Sequence, residues 1–80
     1  MTMTYHAQVR AFERYGMEVG AADFTEIQEQ ITNGSATKLG KTGRRTSIYK
    51  VTVQGRDAVI VYNRAVKVVI TFLPLEWQRR

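Results

Sequence analysis

The hydrophobic pattern of this chain changes period once, near Ser35, and that change decides the class of fold. Before it, apolar residues recur at helical spacing; after it, they alternate with polar ones. Two helices followed by a run of strands bury both kinds of apolar face by laying the helices on one side of a sheet. The expected fold is therefore α+β: two N-terminal helices packed on a curved antiparallel sheet of about four strands, as a single domain over residues 1–80.

The first helix is predicted over Tyr5 to Tyr15. Thr4 supplies an N-cap hydroxyl, and Gly16 can close the far end in a left-handed conformation. At helical period Tyr5, Val9 and Phe12 form its apolar stripe, with His6, Arg10 and Glu13 along the edge and Arg14 just beyond. Met1 to Met3 reads as a frayed terminus. Asp23 followed by Glu26 is a capping-box arrangement that starts the second helix, Phe24, Ile27 and Ile31 mark its buried face, and Asn33-Gly34 ends it.

Strands are expected over Ala36 to Leu39, Thr46 to Val53, Ala58 to Tyr62 and Val66 to Leu73. Gly40-Lys41-Thr42-Gly43-Arg44-Arg45 reads as a mobile basic turn. It is not a P-loop, because its spacing to a Lys-Ser/Thr pair is wrong and no helix follows it. Gln54-Gly55-Arg56-Asp57 supplies a hairpin turn, Asn63-Arg64-Ala65 joins the last two strands, and Pro74 stops the ladder. Trp77 is placed to fold back over a sheet edge. In the last strand, alternation puts Val66, Val68, Ile70 and Phe72 on one side and Lys67, Val69, Thr71 and Leu73 on the other.

Charge narrows the choice of partner. The net charge is +5, but residues 1–37 carry two arginines against five acidic residues, −3, and residues 38–80 carry ten basic residues against two acidic ones, +8. Six basic residues and no acid lie between Lys38 and Arg56, a field that attracts phosphates or an acidic protein, and that can equally serve as a solubilising surface. The chain has no cysteine, so disulfides and thiolate metal sites are excluded. No apolar run reaches membrane-spanning length and no signal-peptide stretch is seen, so a cytoplasmic protein without membrane contact is expected.

His6, the one histidine, sits at the border of the first helix's apolar stripe with Arg10 one turn on, the arrangement of an acid/base group beside a phosphate ligand. Arg10 and Glu13 are also spaced for a surface ion pair of small energetic value, and Tyr49 and Tyr62 lie where strand aromatics are usually core. Thr71 and Lys67, sharing a strand side, suggest a half-open sheet face that Lys50 and the turn around Arg44 and Arg45 would extend.

His6-Ala7-Gln8-Val9-Arg10, then Arg14-Tyr15-Gly16-Met17, the helix end at Asn33-Gly34, Tyr49-Lys50-Val51, Val61-Tyr62 and Val69-Ile70-Thr71 together resemble a family of small domains of unknown function. That family opens with a His-Ala-x-x-Arg helix and is grouped with the barnase, EndoU, colicin and RelE-like (BECR) ribonuclease superfamily. Tyr15 departs from the family's Arg-Gly step by separating Arg14 from Gly16, and no second histidine is available. The resemblance implies a metal-independent, cofactor-free RNase of toxin type. In it His6, Arg10, Tyr49 and Thr71 would be catalytic, and Arg14, Lys41, Arg44, Arg45, Lys50 and Lys67 would bind RNA. A cognate acidic antitoxin is the partner such an enzyme implies. Two other classes remain open: a nucleic-acid-binding module without turnover, and a small protein of phage or mobile-element origin that docks an acidic partner.

Overall fold

The computed structural model describes residues 3–77. Its element order is α1 (Tyr5–Tyr15), α2 (Ala21–Asn33), β1 (Thr37–Lys41), β2 (Thr46–Val53), β3 (Arg56–Asn63) and β4 (Val68–Leu73). The strands form one antiparallel sheet in the order β1-β2-β3-β4, with the helices on one face. The fold is the expected α+β class. No helix among the described residues is long and apolar enough to cross a membrane.

Helix α1 has the predicted bounds and a different buried face. Ala7, Ala11 and Tyr15 point into the core, while Tyr5 is 79% and Phe12 59% exposed. The expected Tyr5, Val9, Phe12 core stripe is therefore overturned. What selects the other face is the anchoring of α1 to β4. The Thr4 hydroxyl accepts from Ala7 N (2.9 Å) and donates to Ile70 O (2.8 Å), Thr4 N donates to Val69 O (3.1 Å), and Arg14 Nε donates to Phe72 O (3.0 Å). These bonds hold α1 close against the strand, where the small Ala7 and Ala11 side chains fit and the larger ones do not. Met3, expected to be frayed, bridges Val69 in parallel and is 3% exposed; Met1 and Thr2 lie outside the described residues.

The Tyr15 hydroxyl enters the β3–β4 ladder itself. It accepts from Val59 N (3.1 Å) and donates to Leu73 O, standing between two residues paired across the strands. Its ring meets Phe72 edge-on at 6.0 Å.

Helix α2 begins at Ala21 with Gly20 as its cap residue, so Asp23 is not the N-cap. It occupies the third helical position and accepts from Gly20 N (2.9 Å), the reciprocal half of a capping box. Phe24 and Ile27 are buried, Ile31 packs against their cluster, and the helix ends at Asn33-Gly34, as expected; Gly34 closes it in the left-handed region at φ 85°. Gln30 replaces a strand: β1 starts at Thr37 opposite Lys50, and beyond it the Gln30 carboxamide accepts from Thr52 N (2.8 Å) and donates to Thr52 O (2.7 Å).

The sheet departs from the sequence reading at its turns. Gln54 and Gly55, at φ 52° and 76°, make a two-residue turn of the kind that matches strand twist, so β3 starts two residues early, at Arg56 opposite Val53. Val66 and Lys67, expected to open the last strand, are turn instead and extend the Arg64–Ala65 connection, with the Asn63 side chain accepting from Ala65 N (2.9 Å) and Val66 N (3.3 Å). A register shift at Ile70, between the Val61↔Thr71 and Tyr62↔Val69 pairs, overturns simple alternation in β4. Val69 and Phe72 both join the helix-side core; Ile70 and Leu73 pack on the other face beside Ile48, Val59 and Val61, with Leu39 and Trp77 completing that cluster.

Candidate nucleic-acid interface

An antiparallel meander sends alternate hairpins to opposite ends, so the β1–β2 and β3–β4 tips share one end of the sheet. They are tied together there: Arg64 N donates to Arg45 O and Arg64 Nη2 donates to Arg44 O, both at 2.7 Å. Within the β1–β2 tip, Thr42 N donates to Thr46 O (3.2 Å) and the two threonine hydroxyls are 2.7 Å apart. The tip read from sequence as mobile is thus braced from inside and from its neighbour.

The joined tips are cationic. Lys41, Arg44, Arg45 and Lys67 are exposed and Arg64 is partly buried between them. Arg44 and Arg45, with Thr46, line an open depression of about 670 Å³. Neither tip carries an acid. Asp57 lies at the opposite end of β3, 3.7 Å from Lys50. The positive field of this end is therefore uncompensated by near neighbours. Arg64 was read from the sequence only as a turn residue; the signal that could have found it is the hairpin count, since a four-strand meander must bring its first and third turns to the same end.

The expected catalytic set is dispersed. His6 is exposed in the first turn of α1, with Arg10 Nε 3.5 Å from its Nε2, and Arg10 pairs with Glu13 at 2.6 Å. The bridge between Met3 and Val69 puts this turn at the end of β4 nearest the Arg64–Lys67 tip, so His6 and the basic tips occupy the same end of the molecule. Tyr49 lies on the helix-covered face, edge-on to Tyr62 at 6.1 Å. Thr71 pairs with Val61 on the opposite face, and its hydroxyl has a 3.5 Å contact with Phe72 O. A sheet separates Tyr49 from Thr71. The structure does not bring either of them to His6.

Among the expected RNA ligands, Lys41, Arg44, Arg45 and Lys67 converge at the tips. Lys67 does so from a turn, at φ 58°, and shares no strand side with Thr71. Lys50 lies in the middle of β2, and Arg14 is held at the far end of α1 by Phe72 O.

Two tyrosines are shifted in their titration. Burial raises Tyr15 above the ordinary tyrosine value, helped by Glu76 and opposed by its Val59 bond and Arg14. Burial also raises Tyr62, opposed by the hydrogen bond its hydroxyl donates to Gln28 Oε1 (2.6 Å). Neither suits the role of a base at neutral pH. Among the described residues no three His, Asp or Glu side chains gather into a group that could hold a metal ion. No protein-family model matches the chain, and comparison with curated proteins and with solved structures yields no match.

Proposed function

We propose that this protein binds RNA, gripping the phosphate backbone with its two joined hairpin tips. The observation that carries the reading is the convergence of Lys41, Arg44, Arg45, Arg64 and Lys67 on one end of the sheet with no acid on either tip. The choice of RNA rests on the ribonuclease resemblance, and it carries a cytoplasmic location with it. Fluorescence anisotropy with a labelled single strand tests it. About four phosphate contacts give a slope near −3 for log K against log salt, and replacing Arg44 and Arg45 together by Ala flattens it by about 1.4. An unchanged slope would show that the tips do not touch phosphate.

A second reading adds cleavage, and its support is that His6, exposed at the same end as the tips, has Arg10 one helical turn along with its Nε 3.5 Å from the imidazole. Here His6 takes the proton from a ribose 2′-hydroxyl, the freed oxygen bonds to the adjacent phosphorus, and Arg10 steadies the charge on the phosphorane. The P–O5′ bond breaks with protonation of the leaving oxygen, giving a 2′,3′-cyclic phosphate and a 5′-hydroxyl. This RNase would be metal-independent and of toxin type, with an acidic antitoxin covering the tips. Incubation with labelled RNA in chelator separates the readings. Cyclic-phosphate products that vanish in His6→Ala support cleavage; binding without products leaves the protein as an RNA-binding module.

A further inference from the structure

Helix α1 presents to solvent the stripe that a core helix would bury. Tyr5, Val9 and Phe12 run along it, and with Gln8, Glu13, Glu18 and Val19 they line a groove of about 530 Å³. Contiguous exposed aromatic surface of this kind marks an interaction site.

The stripe is nearly symmetric about Val9. Tyr5 and Phe12 lie seven residues apart on either side of it, and on one flank His6 and Glu13 have the same spacing. A two-fold axis through Val9 running across α1 therefore places Tyr5 of one copy on Phe12 of the other, and brings His6 of each flank toward Glu13 of its mate, with Arg10 close to the axis. The antiparallel arrangement also opposes the two helix dipoles. It sends the two basic hairpin ends to opposite poles, so the +5 charge of each chain resists pairing least in this orientation.

We propose that α1 is the interface of a two-fold antiparallel homodimer, independently of what the basic tips bind. At their observed exposures the four aromatic rings contribute on the order of 500 Å² of buried surface. With the flanking side chains the interface comes near the roughly 1,000 Å² floor for specific association. The dimer is accordingly weak, with a dissociation constant of roughly micromolar to millimolar.

Sedimentation equilibrium between 10 µM and 1 mM, in ~0.3 M salt and free of nucleic acid, reads it directly. The wild type is expected to pass from monomer to dimer over this range; Tyr5→Ser and Phe12→Ser remain monomeric while keeping the wild-type circular dichroism spectrum, and Val66→Ser, at an exposed apolar site elsewhere, dimerises normally. Because the chain has no cysteine, Val9→Cys gives a single thiol beside the axis. It is expected to cross-link at least tenfold faster under mild oxidation than Leu75→Cys, whatever the fate of the serine variants. A monomeric wild type at 1 mM, a dimer that survives Phe12→Ser, or equal cross-linking of the two cysteine variants would each overturn the proposal.

Discussion

At the residue scale the most consequential side chain is Tyr15, whose hydroxyl accepts from Val59 N and donates to Leu73 O where the strands would otherwise bond to each other. Tyr15→Phe leaves both backbone groups unpaired and is expected to cost about 1–3 kcal/mol, read as a lower midpoint in urea. A loss below about 0.5 kcal/mol would mean that the strands close over the gap. The same residue governs the alkaline limit. Burial raises the Tyr15 and Tyr62 pKa values above 10.0 in the folded state. The folded protein therefore holds the phenolic proton more tightly than the unfolded chain does. The associated stability is whole below about pH 10 and is lost as pH climbs through the raised folded values. Thermal melts from pH 8 to 11.5 should show that decline, and Tyr15→Phe should show less of it.

At the element scale, α1 separates what periodicity can show from what it cannot. Its bounds were legible because Thr4 and Gly16 announce them through local chemistry. Its buried face was not, because the choice depended on tertiary bonds from Thr4, Arg14 and Tyr15 to β4, and the residues so buried include the two small alanines. A helix that must lie close to a strand buries small side chains, and the larger apolar groups are left outside. The expected outcome is an inversion of the usual hydrophobic ranking: Ala11→Leu destabilises by about 1–3 kcal/mol through overpacking, whereas Phe12→Ser changes stability by less than about 0.5 kcal/mol, both measured by urea unfolding at low protein concentration. The opposite order would restore Phe12 to the core. Strand β4 repeats the lesson, since the Ile70 bulge reverses the side on which Val69 lies and nothing in the local pattern announces it. The basic turn was legible as composition; that Arg64 shares its end follows from the hairpin count, but the bonds from Arg64 to Arg44 and Arg45 are tertiary and no local pattern announces them.

At the scale of the whole molecule, the charges are sorted by layer and by end. The protein measures 28 × 25 × 22 Å. At 10 mM ionic strength the screening length is about 30 Å, so the crowded cations of the tips repel one another across the whole end; at 0.15 M it is about 8 Å. The melting temperature is therefore expected to rise by about 2–5 °C between 10 mM and 0.3 M sodium chloride, and the Arg44→Ala, Arg45→Ala double variant should lose most of that rise. A melting temperature that falls with salt would show that attractive pairs dominate instead. The sheet itself has two lateral edges, and α1 has closed one of them: Thr4 and Arg14 occupy the outward carbonyls of Ile70 and Phe72, leaving β1 as the uncovered edge among the described residues. Growth of a cross-β filament needs every unit to accept a neighbour on one side and offer itself on the other. A chain with one open side can join a second such chain and then stops. A filament that stacks the native sheet edge to edge requires α1 to lift off β4, which makes the docking of that helix a guard against this form of polymerisation as well as a part of the fold.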